Sequence, residues 1–156
     1  MWNSLHQSFS TIIVLIFCLF SSPLHAALDI EIFGGGASQI PIAIIPFAAE
    51  ERLAQSVTAV VRSDLQRSGL FRMVDSVSSV PHEPSEIIYP DWQMRGVNAM
   101  VIGATRLLPN GQVEVRYRLM DIAKQQILIS DMETVSVKQL RAVAHRMADS
   151  IYEKLT

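Results

Sequence analysis

Residues 98–121 read NAMVIGATRLLPNGQVEVRYRLMD, and this stretch decides the fold. Its first half is almost continuously apolar, which predicts a strand covered on both faces. Asn110 and Gly111 suit the two positive-φ positions of a type I′ turn, so we expect a β-hairpin. The returning half then alternates. Its apolar positions, which predict a core-facing side, are Val113, Val115, Tyr117 and Leu119. Its charged positions, expected in water, are Glu114, Arg116 and Arg118.

A hairpin alone is only marginally stable, so the rest of the chain must cover it. Apolar runs at 41–47, 71–75 and 126–134 predict further strands. Residues 48–70 have apolar side chains at helical spacing and a closing Gly69, which predicts a helix. A loop is expected over 76–89, followed by a short helix from Tyr89.

The last element has the clearest start signal in the chain. Ser136 and Gln139 have the spacing of a capping box, which predicts that a helix begins there. One apolar stripe then runs to the C-terminus through Leu140, Val143, Ala144, Met147, Ile151 and Leu155.

Composition excludes two broad classes of protein. The 156 residues are 49% hydrophobic and 18% charged, with a net charge of −2, which is not the composition of a disordered chain. The 13 Lys and Arg residues are dispersed, whereas a nucleic-acid groove needs them clustered.

The N-terminus has the pattern of a secretory signal peptide. Residues 12–20 form an apolar run, a Ser-Ser-Pro break follows, and Ala26 is a small residue at the expected cleavage site. We therefore expect a signal peptide over 1–26 and a mature domain over 27–156. Cys18, the only cysteine, lies inside the run behind Ile16 and Phe17, which are too large for a lipoprotein signal.

No catalytic or metal-binding pattern is present in the expected mature chain. His82 and His145 are not at metal-ligand spacing, and there is no cysteine to join them. No serine occupies a G-x-S-x-G elbow. The sequence predicts a protein that is not an enzyme and has no cofactor and no metal site.

The start of the mature chain is its most distinctive feature. Leu28, Ile30 and Ile32 alternate with Asp29 and Glu31, which predicts a short strand. This strand can complete the domain's own sheet, or it can add to a sheet edge of another protein.

Three glycines follow that strand, namely Gly34, Gly35 and Gly36. Because another strand follows them rather than a helix, they do not form a phosphate loop. They are expected to act as a hinge.

Trp92 allows an alternative function. Its plain interpretation is an anchor that packs the short helix on the sheet. The alternative is a periplasmic small-molecule-binding domain, with a ligand near Trp92, Tyr89 and the 76–89 loop.

The chain resembles the N-terminal domain of the TolB family, from the periplasmic Tol–Pal envelope system. The resemblance covers the expected mature region and rests on the order and spacing of its motifs. These are I-E-I at 30–32, P-I-A-I-I-P-F at 41–47, D-L-x-x-S-G-L-F at 64–71, W-x-x-x-G-V-N-A-M-V-I-G at 92–103, Y-x-L-x-D at 117–121 and L-R-x-x-A-H-x-x-A-D-x-I-Y-E-K-L-T at 140–156.

The resemblance implies an α/β fold with a mixed β-sheet of about five strands and two main α-helices packed on it. It also implies a periplasmic role in envelope integrity and cell division. In the family the mature N-terminus engages the inner-membrane protein TolA, which implies contacts through Leu28, Asp29, Ile30, Glu31 and Ile32. Family members continue into a β-propeller that binds the lipoprotein Pal. The sequence stops at Thr156, so Pal binding is expected only if a propeller is present in the full gene product.

Overall fold

The computed structural model describes residues 39–75 and 80–156. Five strands form one sheet: β1 (Ile40–Ile44), β2 (Phe71–Met73), β3 (Ala99–Leu107), β4 (Gln112–Asp121) and β5 (Gln126–Ser136). Their order across the sheet is β2-β1-β3-β4-β5. β1 pairs in parallel with β2 and β3, whereas β3–β4 and β4–β5 are antiparallel. The expectation of a mixed five-stranded sheet is confirmed. The predicted strand at 28–33 lies outside the described residues.

Within the described ranges, three α-helices accompany the sheet: α1 (Val57–Arg67), α2 (Tyr89–Met94) and α3 (Leu140–Leu155). The two longer ones, α1 and α3, share one hydrophobic cluster with one face of the sheet. α2 belongs to a second cluster on the other face. The expectation of an α/β domain with two main helices is therefore confirmed.

β3 is covered on both faces, as its apolar sequence predicts. Ala99 and Val101 contribute to the cluster under α1 and α3, while Met100 and Ile102 contribute to the cluster under α2. All four side chains are at most 2% exposed. A strand buried on both sides has no need of polar alternation, and this is why its sequence is a continuous apolar run.

The helix predicted over 48–70 is wrong at its start. Ala48 instead forms an isolated parallel bridge with Ala104, and Ala49 has a φ of 61°. A 3₁₀ turn follows at Glu50–Arg52, and α1 begins only at Val57. The predicted end is confirmed, because Gly69 follows the helix with a φ of 75°. A left-handed residue there ends a helix at low steric cost when it is glycine.

Side chains satisfy the first free N–H groups of α1. Ser56 Oγ accepts from Ala59 N at 3.0 Å, and a Glu50 carboxylate oxygen accepts from Thr58 N at 3.1 Å. Thr58 Oγ1 in turn accepts from Phe47 N at 3.0 Å. The Glu50 carboxylate therefore stabilises the start of α1 although Glu50 itself lies before the helix.

The turn between β3 and β4 is not type I′. Only Gly111 has a positive φ, of 79°, and Gly111 N donates to Leu108 O at 2.9 Å. Pro109 occupies the second position of this turn, where its ring holds φ near −65°. The loop is therefore a turn that begins at Leu108 and ends in a left-handed glycine, which is the common three-residue hairpin connection.

β4 confirms the predicted alternation, with one correction. Its four apolar side chains are at most 4% exposed. Its charged face, however, is half-buried rather than in open water. The segment before α2 covers part of that face and supplies a partner for two of its arginines.

The predicted capping box at the start of the last helix is confirmed. Ser136 N donates to the Gln139 side-chain oxygen at 3.1 Å, and a 3₁₀ turn leads into α3 at Leu140. The apolar stripe of α3 is buried as far as Ile151.

Candidate interaction site

The residues to which the sequence assigns partner binding lie outside the described residues. They are Leu28, Asp29, Ile30, Glu31 and Ile32, together with the hinge at Gly34, Gly35 and Gly36. The predicted signal peptide and Cys18 also lie outside them. The described structure begins at Gln39, whose side-chain amide donates to Gly69 O at 2.9 Å. Ile40 N donates to Leu70 O at 2.8 Å, so β1 is tied to the turn before β2 from its first residue.

Trp92 is a packing anchor. Its side chain is 1% exposed and lies in the cluster formed with Ile45, Met100 and Ile122. The Arg95 guanidinium lies 5.1 Å from the centre of the indole ring, within the range of a cation–π contact. The plain interpretation of Trp92 is confirmed. The alternative of a small-molecule site near Trp92 gains no support from the described structure, since the ring is enclosed by core side chains.

A carboxylate shared by two arginines holds the segment before α2 against β4. Glu83 pairs with Arg116 and, at 2.7 Å, with Arg118. These side chains keep 21–40% of their surface exposed, so water screens the pairs and each contributes little to stability. Sequence reasoning missed this cluster, because Glu83 and Arg116 are far apart in the chain and no local pattern links them.

The same segment is organised by Glu86. Its carboxylate accepts from His82 N at 2.7 Å and from Glu83 N at 3.2 Å. Both bonds stabilise the charged carboxylate and therefore lower the pKa of Glu86. The bond from His82 N has the larger effect and the bond from Glu83 N the smaller. This is a capping box around the 3₁₀ turn at Pro84–Glu86, and it gives part of the predicted loop a regular structure.

A shallow depression of about 410 Å³ lies over the outer parts of β3 and β4. It is lined by Ala104, Thr105, Arg106, Glu114 and Arg116. Arg106 and Glu114 are paired across it at 2.8 Å, and this bond raises the pKa of Arg106. Because its charges are already paired, the depression does not present a free anion or cation receptor.

His145 is part of a contact between α1 and α3. His145 Nδ1 lies 2.5 Å from a carboxylate oxygen of Asp64, and Arg67 bonds the other oxygen of the same carboxylate. Both oxygens of Asp64 are therefore engaged. A His–carboxylate pair needs a nucleophile or a bound water to do chemistry, and the contacts described around this pair supply no nucleophile.

Within residues 39–75 and 80–156, no group of three or more His, Cys, Asp or Glu side chains is placed to hold a metal ion. In the same two ranges, no helix has both the length and the apolar composition needed to cross a membrane.

These observations define a small mixed α/β domain with several ion pairs on its surface. The chain belongs to the TolB family, because the family model described as the TolB amino-terminal domain matches residues 28–128. The Tol-Pal system protein TolB of Nitrosospira multiformis is 57% identical over 139 residues, which is 88% of this chain and 32% of that protein. The protein of the same name from Nitrosomonas europaea is 50% identical over 143 residues, or 92% and 34%.

A solved structure agrees with this assignment. The crystal structure of TolB from Acinetobacter baumannii superposes with a TM-score of 0.64 at 31% identity. The match covers 76% of this chain and 28% of that one. The chain thus spans about a third of the length of the curated relatives that it matches.

Proposed function

We propose that this chain is a non-enzymatic protein-interaction domain of the Tol–Pal envelope system, and that it binds TolA through Leu28–Ile32. The observation that carries the proposal is the alternating sequence of this segment, placed at the expected mature N-terminus of a TolB-family chain. The domain works without catalysis.

The physical basis is strand addition. An extended segment offers backbone N–H and C=O groups to the free edge of a partner's sheet, and alternate side chains enter pockets on one face. Leu28, Ile30 and Ile32 would supply the apolar side, while Asp29 and Glu31 would remain near water or meet basic groups.

The hinge and the domain have separate roles in this proposal. Gly34, Gly35 and Gly36 have the wide conformational freedom of glycine, which lets the segment adopt the direction that the partner's sheet requires. The folded domain holds the other end of the hinge, because Gln39 and Ile40 are hydrogen-bonded to the turn before β2. Ordering such a segment costs conformational entropy, which limits the affinity gained per contact.

The proposed location is the periplasm, where the protein would contribute to outer-membrane integrity and cell division. The signal-peptide pattern over 1–26 and the names of the Tol-Pal relatives support this. Binding of Pal is proposed only for a longer gene product that carries a propeller.

A titration tests the proposal. The C-terminal domain of the cognate TolA is titrated with residues 27–156 and with residues 34–156, and binding is followed by calorimetry. The shorter form keeps every described strand and helix, so we expect it to fold and to lose binding.

A point variant provides a sharper test, because it leaves the length unchanged. Ile30→Pro removes a backbone donor from the middle of the segment, and we expect it to weaken binding at least about tenfold. Ile30→Val is the matched control and should bind nearly as well as the parent. Equal binding by both lengths, with both folded by circular dichroism, would refute the assignment of the site to Leu28–Ile32.

A further inference from the structure

β5 is a long strand with one free edge. It spans eleven residues from Gln126 to Ser136 and pairs only with β4, since no strand lies beyond it in the part of the chain that the structure describes. An edge of this length presents a row of unpaired N–H and C=O groups. Proteins commonly block such edges with charged side chains, above all lysine, or with proline. The sequence QILISDMETVS contains no lysine or proline, and its two charged side chains, Asp131 and Glu133, are both acidic.

The two faces of this edge have different chemistry. Asp131 and Glu133 lie opposite Tyr117 and Val115 of β4, and so share the face that carries α3. Met132 lies opposite Arg116, on the other face, where it is 57% exposed. Beyond a bulge, Ile127 is 51% exposed.

The carboxylate side of the edge is not fully neutralised. Glu133 pairs with Arg146 of α3 at 2.5 Å, whereas Asp131 has no ion pair among residues 39–75 and 80–156. Among the described residues, its carboxylate accepts a hydrogen bond only from the adjacent Met132 N, at 2.8 Å. The pKa of Tyr117 is raised mainly by burial, and Asp131 and Glu133 raise it further. The charges of Asp131 and Glu133 thus act on the Tyr117 hydroxyl and make the surroundings of this edge negative.

The charge pattern decides which kind of strand fits. Two copies of β5 paired about Met132 would place Asp131 opposite Glu133 twice on one face. Like charges in directly opposite positions destabilise a strand pair. A strand with a basic residue at alternate positions would instead meet Asp131 and Glu133, while its apolar residues would cover Met132.

We propose that the edge of β5 is a second interaction surface, which accepts an extended segment of another protein that alternates basic and apolar residues. Backbone hydrogen bonds would supply much of the affinity, and Asp131 would select the basic side chains. The residues that form this surface, Gln126–Ser136, are other than the segment Leu28–Ile32 to which TolA binding is proposed.

The test uses a synthetic probe peptide that alternates valine and lysine and is about as long as the central half of β5. It is added to residues 27–156, and backbone amide shifts are followed by NMR while affinity is measured by fluorescence anisotropy. We expect shifts concentrated on β5 and binding that weakens as salt is added. A matched peptide of valine and glutamate should bind at least about tenfold more weakly, because it sets like charges against Asp131.

Asp131→Lys reverses the charge of the selecting residue. This exposed variant should fold normally, lose most of its affinity for the lysine peptide and gain affinity for the glutamate peptide. Glu51→Lys makes the same change in net charge on an exposed side chain outside β5, and should preserve the preference for lysine.

Several outcomes would overturn the proposal. One is equal affinity for the two peptides, and another is shift changes that lie away from β5. A third is the absence of β5 shifts at millimolar lysine peptide. A fourth is a dimer, seen by sedimentation equilibrium, that uses the β5 edge, since the occupant would then be a second copy of the chain.

Discussion

Gly103 is the position where one added methyl group should damage the fold most specifically. It lies in the middle of β3, with both faces of the strand covered. A Cβ atom built there would lie 2.6 Å from Arg116 O of β4, and 2.6 and 2.7 Å from Cε2 and Cζ of the Phe47 ring. The Phe47 side chain is 2% exposed, and the Arg116 carbonyl belongs to a strand that is paired along its whole length.

The geometry sets the size of the effect. Carbon atoms in good contact are about 3.5–4.0 Å apart, so the ring or the strand would have to retreat by about 1 Å. Overpacking of this kind costs about 1–3 kcal/mol. The lower entropy of unfolded alanine offsets about 0.4–1 kcal/mol of that cost. Gly103→Ala should therefore lower the free energy of unfolding by about 1–2 kcal/mol and the Tm by about 3–8 °C.

The assay is urea unfolding followed by circular dichroism, with a thermal scan in parallel. Gly111→Asn is the control, because Gly111 has open space around it and asparagine tolerates its positive φ. Phe47→Leu removes the ring atoms nearest the new methyl group, so the double variant should be less destabilised than the sum of the single variants. A Gly103→Ala protein that melts within about 1 °C of the parent would refute the close approach of Phe47 and Arg116.

Two further changes test the core and its pH dependence. Trp92→Ala should lower the free energy of unfolding by about 3–5 kcal/mol, because the enclosed ring would leave a cavity. Trp92→Phe should cost clearly less, and an alanine variant as stable as the parent in urea would contradict the anchor role. For Tyr117, the folded-state pKa lies above its ordinary 10.0, chiefly through burial, so the neutral phenol is favoured in the folded chain. Its contribution to stability is complete below pH 10.0 and is lost as the pH rises through the folded-state pKa. The urea midpoint of unfolding is measured below pH 10.0 and again at a pH above the folded-state pKa of Tyr117. Between these two conditions it should fall less in Tyr117→Phe than in the parent, and an equal fall in both proteins would exclude Tyr117 as a cause.

The elements that local patterns predicted well are those whose signals lie within a few residues. The alternation of β4 follows from the period of two along a strand, so burial of Val113, Val115, Tyr117 and Leu119 could be read directly. The capping box at Ser136 and Gln139 is equally local, since both partners lie within one helical turn.

One error arose where a distant residue competes with a local preference, and the other arose within a single turn. Residues 48–56 have helical composition, but Ala48 pairs with Ala104 of β3 and so continues the sheet. The helix begins only after Ser56, whose side chain caps it. Asn110 and Gly111 by themselves favour a type I′ turn, whereas the fixed φ of Pro109 at the second turn position favours the turn that is observed, in which only Gly111 has a positive φ.

The sequence alone was enough to predict the hairpin, the terminal helix and the family, because periodicity, capping and motif order are properties of neighbouring residues. The tertiary structure was needed to place β1 between β2 and β3, to enclose Trp92 and to bring Glu83 to Arg116 and Arg118. The tertiary structure was also needed to show that β5 is the last strand of the described sheet and that Asp131 is exposed on it. Strand order and contacts between distant residues depend on how whole elements pack, and no stretch of neighbouring residues contains that information.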